Sequence, residues 1–124
     1  MSETWTFEGE RTAVTAEKAV AVLRRRIAEG RLETWLTSSA GRLLSVVSNT
    51  ERALVMLLDA ADDPGAHAVS AGSRGVSGGF RLANGQCDTY PAADTVPLGE
   101  AFRIVRRVIG TGLPRAGAGW CSDG

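Results

Sequence analysis

Residues 32–59 read LETWLTSSAGRLLSVVSNTERALVMLLD. Three short β-rich runs stand out in them, Thr34–Ser38, Leu43–Ser48 and Ala53–Leu58. Ala40-Gly41 separates the first two and Asn49-Thr50 the last two. Gly41 and Asn49 suit the left-handed backbone values that tight turns need. Strands joined this briefly must run antiparallel, because a parallel pair requires a crossover of a dozen residues or more. The last run, Ala53-Leu54-Val55-Met56-Leu57-Leu58, is apolar throughout. It reads as a central strand covered on both faces, or by helix on one face and by a partner on the other.

Working outward, Trp5 and Phe7 alternate with polar neighbours and predict a short strand with one buried side. Ala16, Ala19, Val20, Leu23 and Ile27 then recur at helical spacing, with Thr15 placed to cap the helix and Gly30 to end it. Arg24, Arg25 and Arg26 cluster at the negative end of this helix, where its dipole favours cations. Beyond the central run, Asp59 to Gly65 is a polar turn, His67–Ser70 a brief strand and Gly72 to Gly79 a flexible turn. Asn84-Gly85 between two β-like runs predicts a hairpin with a type I′ turn. Pro97 opens a second helix whose buried stripe is Leu98, Ala101, Phe102, Val105, Val108 and Ile109. Gly110, Gly112 and Pro114 stop it, and Ala118-Gly119-Trp120-Cys121 reads as a last edge strand. The order predicts an α+β fold: an antiparallel meandering sheet with two helices packed on one side, forming a single domain over residues 1–124.

Composition narrows the function classes. Lys+Arg and Asp+Glu are both 14, and a net charge of zero argues against a protein that coats nucleic acid. No apolar run approaches the roughly 18–20 residues that cross a bilayer, and the polar start Met1 to Trp5 has no apolar leader segment. A cytoplasmic protein that needs no membrane is expected, with Cys87 and Cys121 as free thiols. Charge is nonetheless segregated. Residues 51–100 hold Glu51, Asp59, Asp62, Asp63, Asp88, Asp94 and Glu100 against Arg52, Arg74 and Arg81, whereas Arg103, Arg106, Arg107 and Arg115 dominate the end. Such a polarised surface steers charged partners.

No residue set points to chemistry. A thiol site of Cys87, His67 and Asp88 has the right residue types, but nothing in the sequence brings them together. Two cysteines and one histidine are too few for an ordered zinc site. The aspartates at 59, 62 and 63 lack the calcium-loop pattern with its final Glu. The glycines of 72–79 lead into a strand instead of the helix start that phosphate loops use. The expectation is a protein without catalytic residues, metal or cofactor. The alternative is a small-ligand-binding or weakly catalytic α+β domain using His67, Cys87 and the Gly-rich loop.

One segment carries more. Gly79-Phe80-Arg81-Leu82-Ala83-Asn84-Gly85-Gln86-Cys87-Asp88-Thr89-Tyr90-Pro91, then Asp94-Thr95-Val96-Pro97-Leu98-Gly99-Glu100-Ala101, then Gly112-Leu113-Pro114 and Trp120, resembles the Imm-one family of immunity proteins from bacterial polymorphic toxin systems. The resemblance implies an antitoxin that binds a cognate toxin domain, often a zinc-dependent deaminase acting on nucleic acid such as DNA cytosine. Such an enzyme needs an open cleft for its target base, which an inhibitor can cover. The toxin-binding residues expected on this basis are Asp59, Asp62, Asp63, Asp88, Asp94 and Glu51, meeting basic groups around the cleft. Tyr90 and Trp35 are the expected aromatic anchors. Trp5, Trp120 and Phe102 are assigned to the core. No direct contact with nucleic acid is expected, and self-association is left open.

Overall fold

A computed structural model describes residues 3–70, 73–82, 84–112 and 120–122. Its strands are β1 (Trp5–Phe7), β2 (Glu33–Ser38), β3 (Leu43–Ser48), β4 (Arg52–Leu58), β5 (Ala66–Ala68), β6 (Val76–Arg81), β7 (Cys87–Pro91), β8 (Val96–Pro97) and β9 (Trp120–Ser122). The helices are α1 (Ala16–Ala28) and α2 (Leu98–Thr111), with one 3-10 turn at Ala92–Asp94. The main sheet has the order β1-β2-β3-β4-β5-β9, with β8 also pairing β4, and every pairing is antiparallel. β6 and β7 form a separate hairpin.

The α+β class with a meandering sheet and both helices on one side is thus the architecture observed. The three runs of residues 32–59 become β2, β3 and β4 within one residue of their expected bounds. Side chains alternate across a strand, and one face buries Leu36, Leu44, Val46, Ala53, Val55 and Leu57. Against them lie Ala19, Val20, Leu23 and Ile27 of α1 and Ala101, Phe102, Val105 and Val108 of α2, spaced three and four apart as a helical stripe demands. The Thr15 side chain accepts from the Lys18 backbone N–H and caps α1. Gly112, in the left-handed region at φ 77°, closes α2.

Arginine ties this layer together. Arg26 is buried, pairs with Glu10 at 3.0 Å and lies 4.5 Å from the centre of the Phe7 ring. Arg24 lies 4.3 Å from the centre of the Phe102 ring on α2. Arg26 therefore braces the fold from within, whereas Arg24 is exposed and lies over Phe102 from outside. Trp5 is in the core and Trp120 packs against it from β9.

Four local expectations are corrected. Thr50, at φ 76°, takes the left-handed position in place of Asn49. The Asn49 carboxamide explains the shift: its Oδ1 accepts from the N–H groups of Glu51 and Arg52, forming a side-chain turn that pushes the strained position one residue on. In the second turn Gly85, at φ 89°, closes the turn, its N–H donating to the Leu82 carbonyl at 2.9 Å, so Asn84 and Gly85 are not the two central residues of a type I′ turn. Leu82 and Gln86 close a wider loop instead. The glycine-rich run is no simple flexible turn, since Val76 to Gly79 belong to β6. Gly79, at φ 82°, makes the register shift between Ser77 and Phe80 that bends the strand. Pro97 caps α2 from outside while pairing with Arg52 of β4. Gly72, Pro114, Ala118 and Gly119 lie outside the described residues.

Candidate protein-binding face

The helices cover one face of the sheet, and the strand period points the intervening side chains the other way. Strand register sets them in rows. Trp35, Ser45, Met56, His67 and Cys121 stand opposite one another across five strands. Glu33, Val47 and Leu54 form the adjoining row. Trp35, Leu54 and Met56 are half-buried, whereas Ser45 and Val47 between them are buried. This face carries large apolar side chains that the helices do not cover.

The β6–β7 hairpin borders it. Asn49 Nδ2 donates to Ser77 Oγ and to the Gly78 carbonyl, both at 2.8 Å, which fixes β6 beside β3. Phe80 is fully buried and meets the Tyr90 ring edge-on at 5.0 Å. The Tyr90 hydroxyl donates to Asp88 Oδ2 at 2.8 Å, and Gln86 donates to Asp88 Oδ1 at 2.8 Å. On β2 the Trp35 indole N–H donates to Glu33 Oε2 at 2.9 Å. Burial first, then the hydrogen bond to Asp88 and the charges of Asp88 and Glu33, push the Tyr90 phenol up from 10.0 to about 12. Two aromatic rings and two carboxylates thus converge where the hairpin meets β2.

That shift makes a prediction of definite sign. The neutral phenol is favoured in the folded protein, so its contribution to stability is complete below pH 10 and is lost as pH rises through about 12. Tyr90 is the only tyrosine, so an absorbance titration of phenolate reads it alone. The midpoint should lie near 12 in the native chain, and Asp88→Asn should bring it part of the way back towards 10. A native midpoint at the ordinary tyrosine value would mean that the hydroxyl stands in water.

Three of the expected site residues, Trp35, Asp88 and Tyr90, therefore meet around one patch. Asp94 lies on the same side of the sheet but is paired, its Oδ1 accepting from His67 Nε2 at 3.0 Å. The rest stand apart. Asp59, Asp62 and Asp63 occupy the turn after β4, where Asp63 Oδ2 accepts from the Asp59 N–H at 3.0 Å. Asp59 also lies 3.7 Å from Arg42, an exposed pairing that contributes little. Glu51 sits at the opposite end of β4, and a strand of 7 residues separates the two by about 23 Å. Glu33 was not among the expected residues. Its place two residues before Trp35 on one strand was the available signal.

The residues of the alternative reading are redistributed. His67 faces Asp94 and not Asp88, and the cysteine opposite it is Cys121 and not Cys87, which stands across from Arg81. Among the described residues no group of three or more His, Cys, Asp or Glu is placed to hold a metal ion. Among them, too, no helix is long and apolar enough to cross a membrane. Fold and face together define a class: a two-layer α+β domain with helices on one side of its sheet and a partly covered apolar face on the other. Comparison with protein-family models, with curated proteins and with solved structures finds no match in any of the three.

Proposed function

We propose that this chain is an immunity protein of the cytoplasm, which binds a cognate toxin domain of the nucleic-acid deaminase class and covers its cleft. The observation that carries the reading is the convergence of Trp35 and Tyr90 with Glu33 and Asp88 on a sheet face that the helices leave uncovered. The sequence resemblance over residues 79–120 supplies the kind of partner. An enzyme that acts on nucleic acid lines its substrate channel with basic side chains. Half-buried aromatic anchors beside carboxylates suit such a rim in shape and sign. Inhibition of this kind needs no bond-making by the chain itself, and neither metal nor cofactor enters it.

The test is co-purification with the toxin domain encoded beside the gene. A stable complex that silences deamination supports the reading, and failure to bind that domain ends it. Within the complex, Trp35→Ala should weaken affinity about 100-fold, the cost of truncating an aromatic anchor. Asp62→Lys with Asp63→Lys should slow association, more so at low salt, if the contact extends to the turn after β4. An unchanged on-rate would remove that turn from the interface.

A further inference from the structure

β1 stops at Phe7, opposite Leu36, and the Glu8 N–H follows β2 one step further by donating to the Trp35 carbonyl at 2.9 Å. There the edge of β2 borders a cleft of about 400 Å³, lined by Glu8, Arg26, Arg31, Glu33, Thr34 and Trp35. Lying at a strand edge, it takes Thr34 from the helix side of β2 and Glu33 and Trp35 from the other side. Two of its side chains are polar and buried. Thr34 is 3% exposed, and its Oγ1 has no hydrogen-bond partner, a state that costs free energy until one arrives. The Arg26 side chain is 9% exposed and makes one hydrogen bond, from Nη2 to Glu10, so most of its N–H groups are unused. Arg31 and Glu8 are exposed, and neither forms an ion pair among the described residues. Glu33 completes the lining, its Oε2 accepting from the Trp35 indole N–H.

We propose that this cleft binds a free α-amino acid. The charges of its lining select the class of ligand. Two guanidinium groups stand against two carboxylates, so a simple anion meets Glu8 and Glu33, and a simple cation meets Arg26 and Arg31. A ligand that carries both charges satisfies both pairs. Its carboxylate suits the planar donors of Arg26 and Arg31, with the Thr34 hydroxyl as a further donor. Its ammonium group has three N–H donors for Glu8 and Glu33, which only accept. The side chain of the ligand is then left on the Trp35 side of the cleft. A space of this size holds one small molecule, with a few polar groups to orient it. The site shares Glu33 and Trp35 with the face described above but requires no partner protein.

The experiment titrates the chain alone with L-leucine, L-phenylalanine, L-arginine and L-glutamate and follows its backbone and indole N–H signals by NMR. At least one probe should shift the Trp35 indole and the Thr34 and Arg31 amides with half-saturation at about 1 mM or below. Its N-acetyl and amide derivatives, each lacking one charge, should bind about tenfold more weakly or worse. Thr34→Val should leave stability unchanged or raised, since the hydroxyl it removes has no partner, yet weaken binding about tenfold. Arg31→Gln, at an exposed position, should weaken binding to a similar degree. No saturable shift by about 10 mM with any of the four probes overturns the proposal without a variant having to fold. A derivative that binds as tightly as the parent amino acid overturns it too, as does a folded Thr34→Val or Arg31→Gln chain of unchanged affinity. All of these results are read without a toxin domain, so they stand or fall separately from the function proposed above.

Discussion

Replacing Arg52 by alanine should lower stability by about 2–3 kcal/mol, as judged from what charged hydrogen bonds contribute and what unmet acceptors cost. Arg52 opens β4, and its guanidinium gathers the segment that leads from the hairpin to α2. Nε donates to Thr95 Oγ1 at 2.7 Å, and Nη2 donates to the Thr95 carbonyl at 3.0 Å, Ser70 Oγ at 3.1 Å and the Ala92 carbonyl at 3.3 Å. Thr95 is wholly buried, so water cannot replace these donors without opening the site. The same segment lays β8 against β4 and starts α2, whose Leu98 N–H donates to the Glu51 carbonyl. Thermal unfolding should fall by roughly 10 °C for a chain of this size. Arg52→Lys should recover little, because one ammonium cannot reproduce the planar fork. A loss below about 0.5 kcal/mol, the range of ordinary surface substitutions, would show that the segment is held by its apolar contacts alone.

Leu44→Ala should cost about 3 kcal/mol in urea unfolding, the middle of the range for emptying a fully buried leucine site. Leu44 is 0% exposed and lies on the helix side of β3, within the main core. Leu54→Ala offers the contrast. Leu54 belongs to the neighbouring strand but points to the opposite, partly covered face, where it is half-buried. Its truncation should cost about 1 kcal/mol, since less area leaves water on folding. Equal losses would mean that both faces are closed to the same degree, and the proposed binding face would lose its open surface.

How far the sequence foretold this structure depends on the range of the forces involved. The bounds of β2, β3 and β4 were legible because alternation and turn residues act within a few positions. The Thr15 cap of α1, the Gly112 end of α2 and most of both buried stripes were legible for the same reason, whereas Pro97 stands outside α2, Gly110 lies within it and Ile104 joins its buried side unforeseen. The pairing of β5 with β9 and of β8 with β4 was not, because no local pattern records which strands become neighbours. Nor was Arg52 visible as a hub, since its partners lie 18 to 43 positions away. At the site, Glu33 with Trp35 and Asp88 with Tyr90 are each two residues apart on a strand, so each pair was legible as sharing one side. Their mutual approach depends on where the hairpin is anchored by Asn49, and that is a tertiary fact. The remaining acidic residues looked equivalent in sequence, and the length of β4 is what separates Glu51 from the turn at Asp59.

The sheet is completed by its last strand, and that has a kinetic consequence. β9 joins β5 only after the chain has travelled through the hairpin, β8 and α2, a detour of about fifty residues between His67 and Cys121. Closing so long a loop is entropically slow beside the short turns that join β2, β3 and β4. Those three strands can zip early and offer a surface for the helices to dock on. The edge bearing Cys121 is then set last, so β5 spends the final stage of folding as an open border.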